Sequence, residues 1–126
     1  MKALLLIVCL CQLSTPLLAQ NFQLQQLASG LGVPWGLAFI APEQLLITER
    51  EGNACILNTR SGKVEEVIGL PAVYAEGQGG LLDVAVAPDY AVNPWVYFTY
   101  SKEIRGEGAT TLARARLQHN RLQQWQ

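Results

Sequence analysis

Residues 75–90 read AEGQGGLLDVAVAPDY. Three glycines surround one glutamine, Gln78, and the segment runs straight into an apolar strand without a lysine, cysteine or histidine. A neutral amide is no acid, base or nucleophile at ordinary pH; what it brings is one group that both donates and accepts hydrogen bonds. On the residues alone, the stretch reads as a glycine-rich crossing between two elements with a solvated glutamine at its crest.

The other residues able to do chemistry are sparse. His119 is the sole histidine and imidazole titrates near working pH. It sits in LQHNRL, between Leu117 and Leu122, which reads as a polar hairpin tip and makes it a surface turn residue. Asp83 and Asp89 lie six apart, but Asp89 follows Pro88 in a turn signature and Asp83 lies within a strand. A metal site needs more oxygen or nitrogen ligands than this stretch supplies, so neither catalytic nor metal-ligating residues are assigned. Glu49-Arg50-Glu51 reads as a surface ion cluster, Arg114 and Arg116 as a solvated strand face, and Trp35, Trp95, Tyr97 and Tyr100 as packing between elements.

The chain that must position these residues has 126 of them, enough for one ordinary domain or part of a larger one. Met1-Lys2 is a short basic start, Ala3 to Leu13 is an almost unbroken apolar run, and Leu17-Leu18-Ala19 ends in a small residue before polar Gln20-Asn21. That is the pattern of a cleavable secretory signal peptide over residues 1–19. The apolar run falls short of the roughly 20 residues a membrane span needs, so no span is expected in the mature chain. Cleavage after Ala19 leaves 107 residues with eight basic and ten acidic side chains, which offers no electrostatic footprint for nucleic acid. Cys9 and Cys11 leave with the leader, so Cys55 remains without a disulfide partner, a buried free thiol in an apolar run.

Residues 20–126 carry an internal repeat. WGLAFIAPEQLLITER (35–50) and LLDVAVAPDYAVNPWVYFTYS (81–101) each read as an apolar strand, an Ala-Pro-acid turn and a second strand. The two turns begin at Ala41 and Ala87, 46 residues apart, which is a propeller-blade period. Strands are expected at 35–40, 44–50, 53–58 and 64–68, then at 81–87, 95–101, 110–117 and 121–125, separated by Gly, Pro, Asn and Asp. The fold class is therefore all-β, a β-propeller of which the chain covers about two blades. Two blades do not close a ring, so the sequence reads as the front part of a longer secreted protein, poorly soluble alone.

VPWGLAFIAPEQLLITEREG, GLPAVYAEGQGGLLDVAVAPDY, VYFTYS and TTLARARL, in this order and spacing, resemble the beginning of the soluble aldose sugar dehydrogenases of the glucose/sorbosone dehydrogenase family. The resemblance runs from about Val33 to Leu122. It implies a six-bladed β-propeller carrying pyrroloquinoline quinone (PQQ) and calcium, exported to the periplasm, oxidising aldose sugars at the anomeric carbon and passing electrons to a periplasmic acceptor. It further implies that Gln78, in the Gly-Gln-Gly-Gly segment, contacts the quinone at the mouth of the propeller channel, with Gly77, Gly79 and Gly80 letting a flat ring approach closely. The family's histidine base lies in a His-Phe-Gly-type motif of a later blade. No such motif occurs here, and His119 does not match that position. The calcium ligands and most basic cofactor contacts also belong to later blades. The alternative class is a non-catalytic secreted propeller that binds a ligand or protein, since a fold alone does not carry an activity.

Overall fold

The computed structural model describes residues 22–126, so the expected leader lies outside the described residues. Eight strands form two antiparallel sheets of four, each in simple sequential order. The first holds β1 (Pro34–Ala41), β2 (Gln44–Glu49), β3 (Asn53–Asn58) and β4 (Val64–Glu66). The second holds β5 (Leu81–Val86), β6 (Trp95–Ile104), β7 (Glu107–Gln118) and β8 (Arg121–Gln123). Strands fall where the repeat predicts them. β4 and β8 are the shorter for it, three residues each, and the β6–β7 hairpin is longer, paired out to Ile104 and Glu107.

Period-two alternation decides which residues meet. On β3, Ala54 and Ile56 point into the core shared by the two sheets, while Cys55 and Leu57 point the other way into a smaller cluster with Ile47. Ala28, Leu31 and Leu45 pack against that second cluster, so β2 and β3 are buried on both faces and read as nearly continuous apolar runs, whereas Leu37 and Phe39 of β1 stay exposed. In the second sheet Val96, Phe98 and Tyr100 face the shared core with Ala115 and Leu117. Trp95, Tyr97, Leu112, Arg114 and Arg116 occupy the opposite face by the same alternation, and Leu112 is 71% exposed there.

The sheets approach most closely at their first strands, β1 and β5. Gly36 is what permits it: a Cβ there would lie 2.9 Å from the amide nitrogen of Val84 and 2.9 Å from Oγ1 of Thr48. Both strands depart from regular pairing at this level, β1 between Pro34 and Leu37 and β5 between Leu81 and Val84. Irregularities of this kind bend a strand and re-aim its side chains.

Residues 67–80 cross from the first sheet to the second without regular structure, yet their backbone is bonded along the way. Val67 donates to Ala54, Ile68 donates to Asn120 and accepts from Leu122, Tyr74 donates to Ser101, and Gly80 accepts from Ser101, at 2.8–2.9 Å. Trp125 adds an indole N–H to the carbonyl of Gly69 at 2.8 Å and packs its ring, tilted by 42°, with its centroid 5.3 Å from that of Phe98.

Candidate functional site

One end of the two sheets gathers the starts of β1 and β5, the β2–β3 turn, the β6–β7 hairpin and the crossover. Gln78 lies at this end, three residues before β5. Glu76 to Gly79 form a tight turn closed by the Gly79 N–H on the carbonyl of Glu76 at 2.8 Å. Gly77 takes φ +55°, a left-handed conformation that costs glycine little. The Gln78 side chain is exposed, and among the described residues no hydrogen bond occupies its amide.

The glycines around it differ in what an added side chain would meet. A Cβ on Gly79 would run into the carbonyl of Tyr74, and one on Gly80, at φ +145°, into the carbonyl of Arg50 and, at 2.7 Å, its Cγ. On their Cβ sides those two glycines serve the chain's own close packing. Gly77 alone is open, with nothing within 4 Å of the added carbon.

Arg50 is the residue the sequence reading missed. Its ion pair with Glu51 is present at 3.0 Å, as a surface cluster would have it. The other arm of the guanidinium turns inward: Nη2 donates to the carbonyls of Ala75 and Gly77, each at 2.8 Å. The Arg50 carbonyl accepts from Leu81 N at 2.9 Å. The signal available in the sequence was its place at the tip of a β2–β3 turn, directly beside the crossover in a propeller blade. Glu49 faces elsewhere, accepting from Gly32 N at 3.2 Å.

His119 is exposed at φ +49°, followed by Asn120 at φ +58°, which is a two-residue hairpin turn. Strand register puts it at the end of the second sheet opposite Gln78: Leu81 pairs with Tyr100, whereas Gln118 lies beyond the Arg116–Trp95 pair. Asp83 caps its own chain, its carboxylate accepting from Val84 N at 2.8 Å. Among the described residues no group of three or more His, Cys, Asp or Glu side chains is placed to hold a metal ion, and no helix is long and apolar enough to cross a membrane. Arg114 and Arg116 differ from the solvated face expected of them. Both are half-buried and stack on Trp95, with guanidinium carbons 4.4 and 4.8 Å from the ring centroid. Of the four aromatics expected to pack between elements, Tyr100 is buried in the shared core while Trp35 stays 48% exposed.

The model of the glucose/sorbosone dehydrogenase family matches residues 31–126, which takes in both sheets and the Gln78 crossing. The chain belongs to the glucose/sorbosone dehydrogenase family. Among its relatives, an aldose sugar dehydrogenase of Escherichia coli is 41% identical over 70 residues, 55% of this chain and 19% of that protein. A quinoprotein glucose dehydrogenase B of Acinetobacter calcoaceticus is 34% identical over 84 residues, 64% of this chain and 18% of that protein. The PQQ-bound aldose sugar dehydrogenase of Streptomyces coelicolor superposes with a TM-score of 0.68 at 32% identity, over 76% of this chain and 28% of the other. The chain thus spans about a fifth of the length of these two curated relatives. The two sheets are two blades of a β-propeller.

Proposed function

We propose that this chain is the front part of an exported quinoprotein oxidoreductase that oxidises aldose sugars at the anomeric carbon, with Gln78 as its contact to PQQ. The observation that carries the reading is the exposed Gln78 amide on the turn ahead of β5, unoccupied by the protein's own groups, in a chain of this family. PQQ is dense in carbonyl and carboxylate oxygens, all of them acceptors, and the Gln78 amide can donate to them through Nε2. When bound, PQQ supplies the hydride acceptor for the sugar's anomeric C–H. The two blades do the rest of what this chain contributes. Their closely packed first strands and the tethered crossover hold the turn that carries Gln78, and the open side of Gly77 leaves space beside it.

In this reading the part played by Gln78 is binding and orientation of the cofactor, and the general base and calcium ligands come from the rest of the propeller. The leader over residues 1–19 directs the mature chain, from residue 20 onward, to the periplasm or the exterior, where an electron acceptor reoxidises the cofactor.

The test is to titrate the whole gene product with PQQ and calcium while following aldose-dependent dye reduction. Activity that appears with cofactor supports the dehydrogenase; a folded protein that takes up no PQQ and reduces no dye leaves a non-catalytic propeller in its place.

A further inference from the structure

Gln78 rides on a segment with little to hold it. Residues 76–78 are exposed, the turn is closed by one backbone bond, and Gly77 is free to take either sign of φ. Left alone, such a turn would present the amide in many directions, and any ligand would bear the ordering cost on binding. What restrains it comes from the other blade. Arg50 reaches from the β2–β3 turn and bonds the carbonyls on either side of Glu76, those of Ala75 and Gly77, while its own carbonyl takes the amide of Leu81.

We infer that Arg50 is the positioning residue for the Gln78 amide, a residue of the first blade that fixes the chain both before and after the glutamine. The Arg50 side chain is half-buried, and its bonds to the two carbonyls are charge-assisted. Serving two carbonyls and Glu51 at once takes a planar fork of donors, which a lysine ammonium cannot reproduce. The contact faces the turn backbone and not the open side of Gly77, so Arg50 acts through the loop. Its effect on cofactor binding rests on the proposed role of Gln78; its hold on the turn does not.

Two readouts on the whole gene product separate these. Amide hydrogen exchange of peptides spanning residues 75–81 is compared between the wild type, Arg50→Ala and Arg50→Lys, and PQQ affinity is measured for the same set in Gln78 and Gln78→Ala backgrounds. Arg50→Ala is expected to speed exchange in that segment by about tenfold or more, with β6 unchanged, and to weaken PQQ by about tenfold. Arg50→Lys should fall between, recovering one carbonyl bond. In the Gln78→Ala background the Arg50 substitution should cost nothing further.

Unchanged exchange in Arg50→Ala overturns the inference. A PQQ loss that persists undiminished in the Gln78→Ala background overturns it too, since Arg50 would then act on the ligand directly. If Arg50→Ala loosens β6 as well, Arg50→Lys decides, and wild-type exchange in it counts against positioning by the fork. A wild type that takes up no PQQ overturns the reading of Gln78 and leaves the exchange result to decide on Arg50.

Discussion

Thr48 donates its hydroxyl proton to the backbone carbonyl of Leu82 at 2.6 Å, joining the two blades between residues 34 positions apart. The same oxygen accepts the amide of Gly36 at 2.9 Å, and the side chain is wholly buried. One hydroxyl therefore serves both first strands where their regular pairing lapses.

Thr48→Val keeps shape and removes the hydroxyl, stranding the Gly36 N–H and the Leu82 carbonyl. A loss of about 1–3 kcal/mol is expected from leaving such groups unpaired, while Thr48→Ser, which keeps the oxygen, should lose less. Denaturant unfolding of the whole gene product measures both, and a Thr48→Val protein as stable as the wild type would refute the role.

The glycines of the crossing should separate cleanly under alanine substitution. Gly80→Ala meets the Arg50 carbonyl at φ +145° and is expected to cost about 3 kcal/mol or more. Gly77→Ala meets open space and pays only for its left-handed φ, about 1 kcal/mol. Thermal melts that rank them the other way would mean the crossover packs differently.

Gln78→Ala should leave stability within about 0.5 kcal/mol, as expected of an exposed side chain without partners. PQQ affinity should nevertheless fall by about tenfold or more, the equivalent of one good hydrogen bond. Titration by cofactor absorbance together with a melt of the apoprotein tests both halves.

Cys55 supplies a pH dependence. Burial, with the negative charge of Glu49 adding to it, pushes the thiol above its ordinary range. A folded-state pKa above the unfolded one makes the contribution complete below the unfolded value of about 8.5 and eroded as pH climbs past it. Stability should therefore fall as pH rises above about 8.5, and Cys55→Ala, though less stable at pH 7, should show a flatter profile there. Equal slopes in the two proteins would place the titration elsewhere.

The fold was legible because its signals are local. Period-two alternation, the Ala-Pro-acid turns and the 46-residue spacing fix strands and blade count within one chain segment at a time. The Gln78 turn was legible for the same reason, since glycines announce it. Arg50 was not, because its partners are carbonyls at residues 75 and 77, and backbone acceptors leave no mark on residue type. The stacking of Arg114 and Arg116 on Trp95 was hidden similarly: alternation shows that the two share a face, but the aromatic beneath them comes from the neighbouring strand.

The bonded crossover also sets where the chain can change length. Residues 67–80 meet the first blade at Ala54 and Arg50 and the second at Asn120, Leu122 and Ser101. An inserted or deleted residue there would throw every later bond out of register and carry Gln78 away from its place. Of the two hairpin tips in the second blade, His119-Asn120 is bonded to the crossover, whereas Arg105-Gly106 is tied to its own strands. At the β6–β7 tip a carbon added on Gly106 would meet nothing within 4 Å, although Tyr74 of the crossover packs on Gly108 of its stem. Length variation, whether arising in nature or introduced to carry a tag, belongs at Arg105-Gly106.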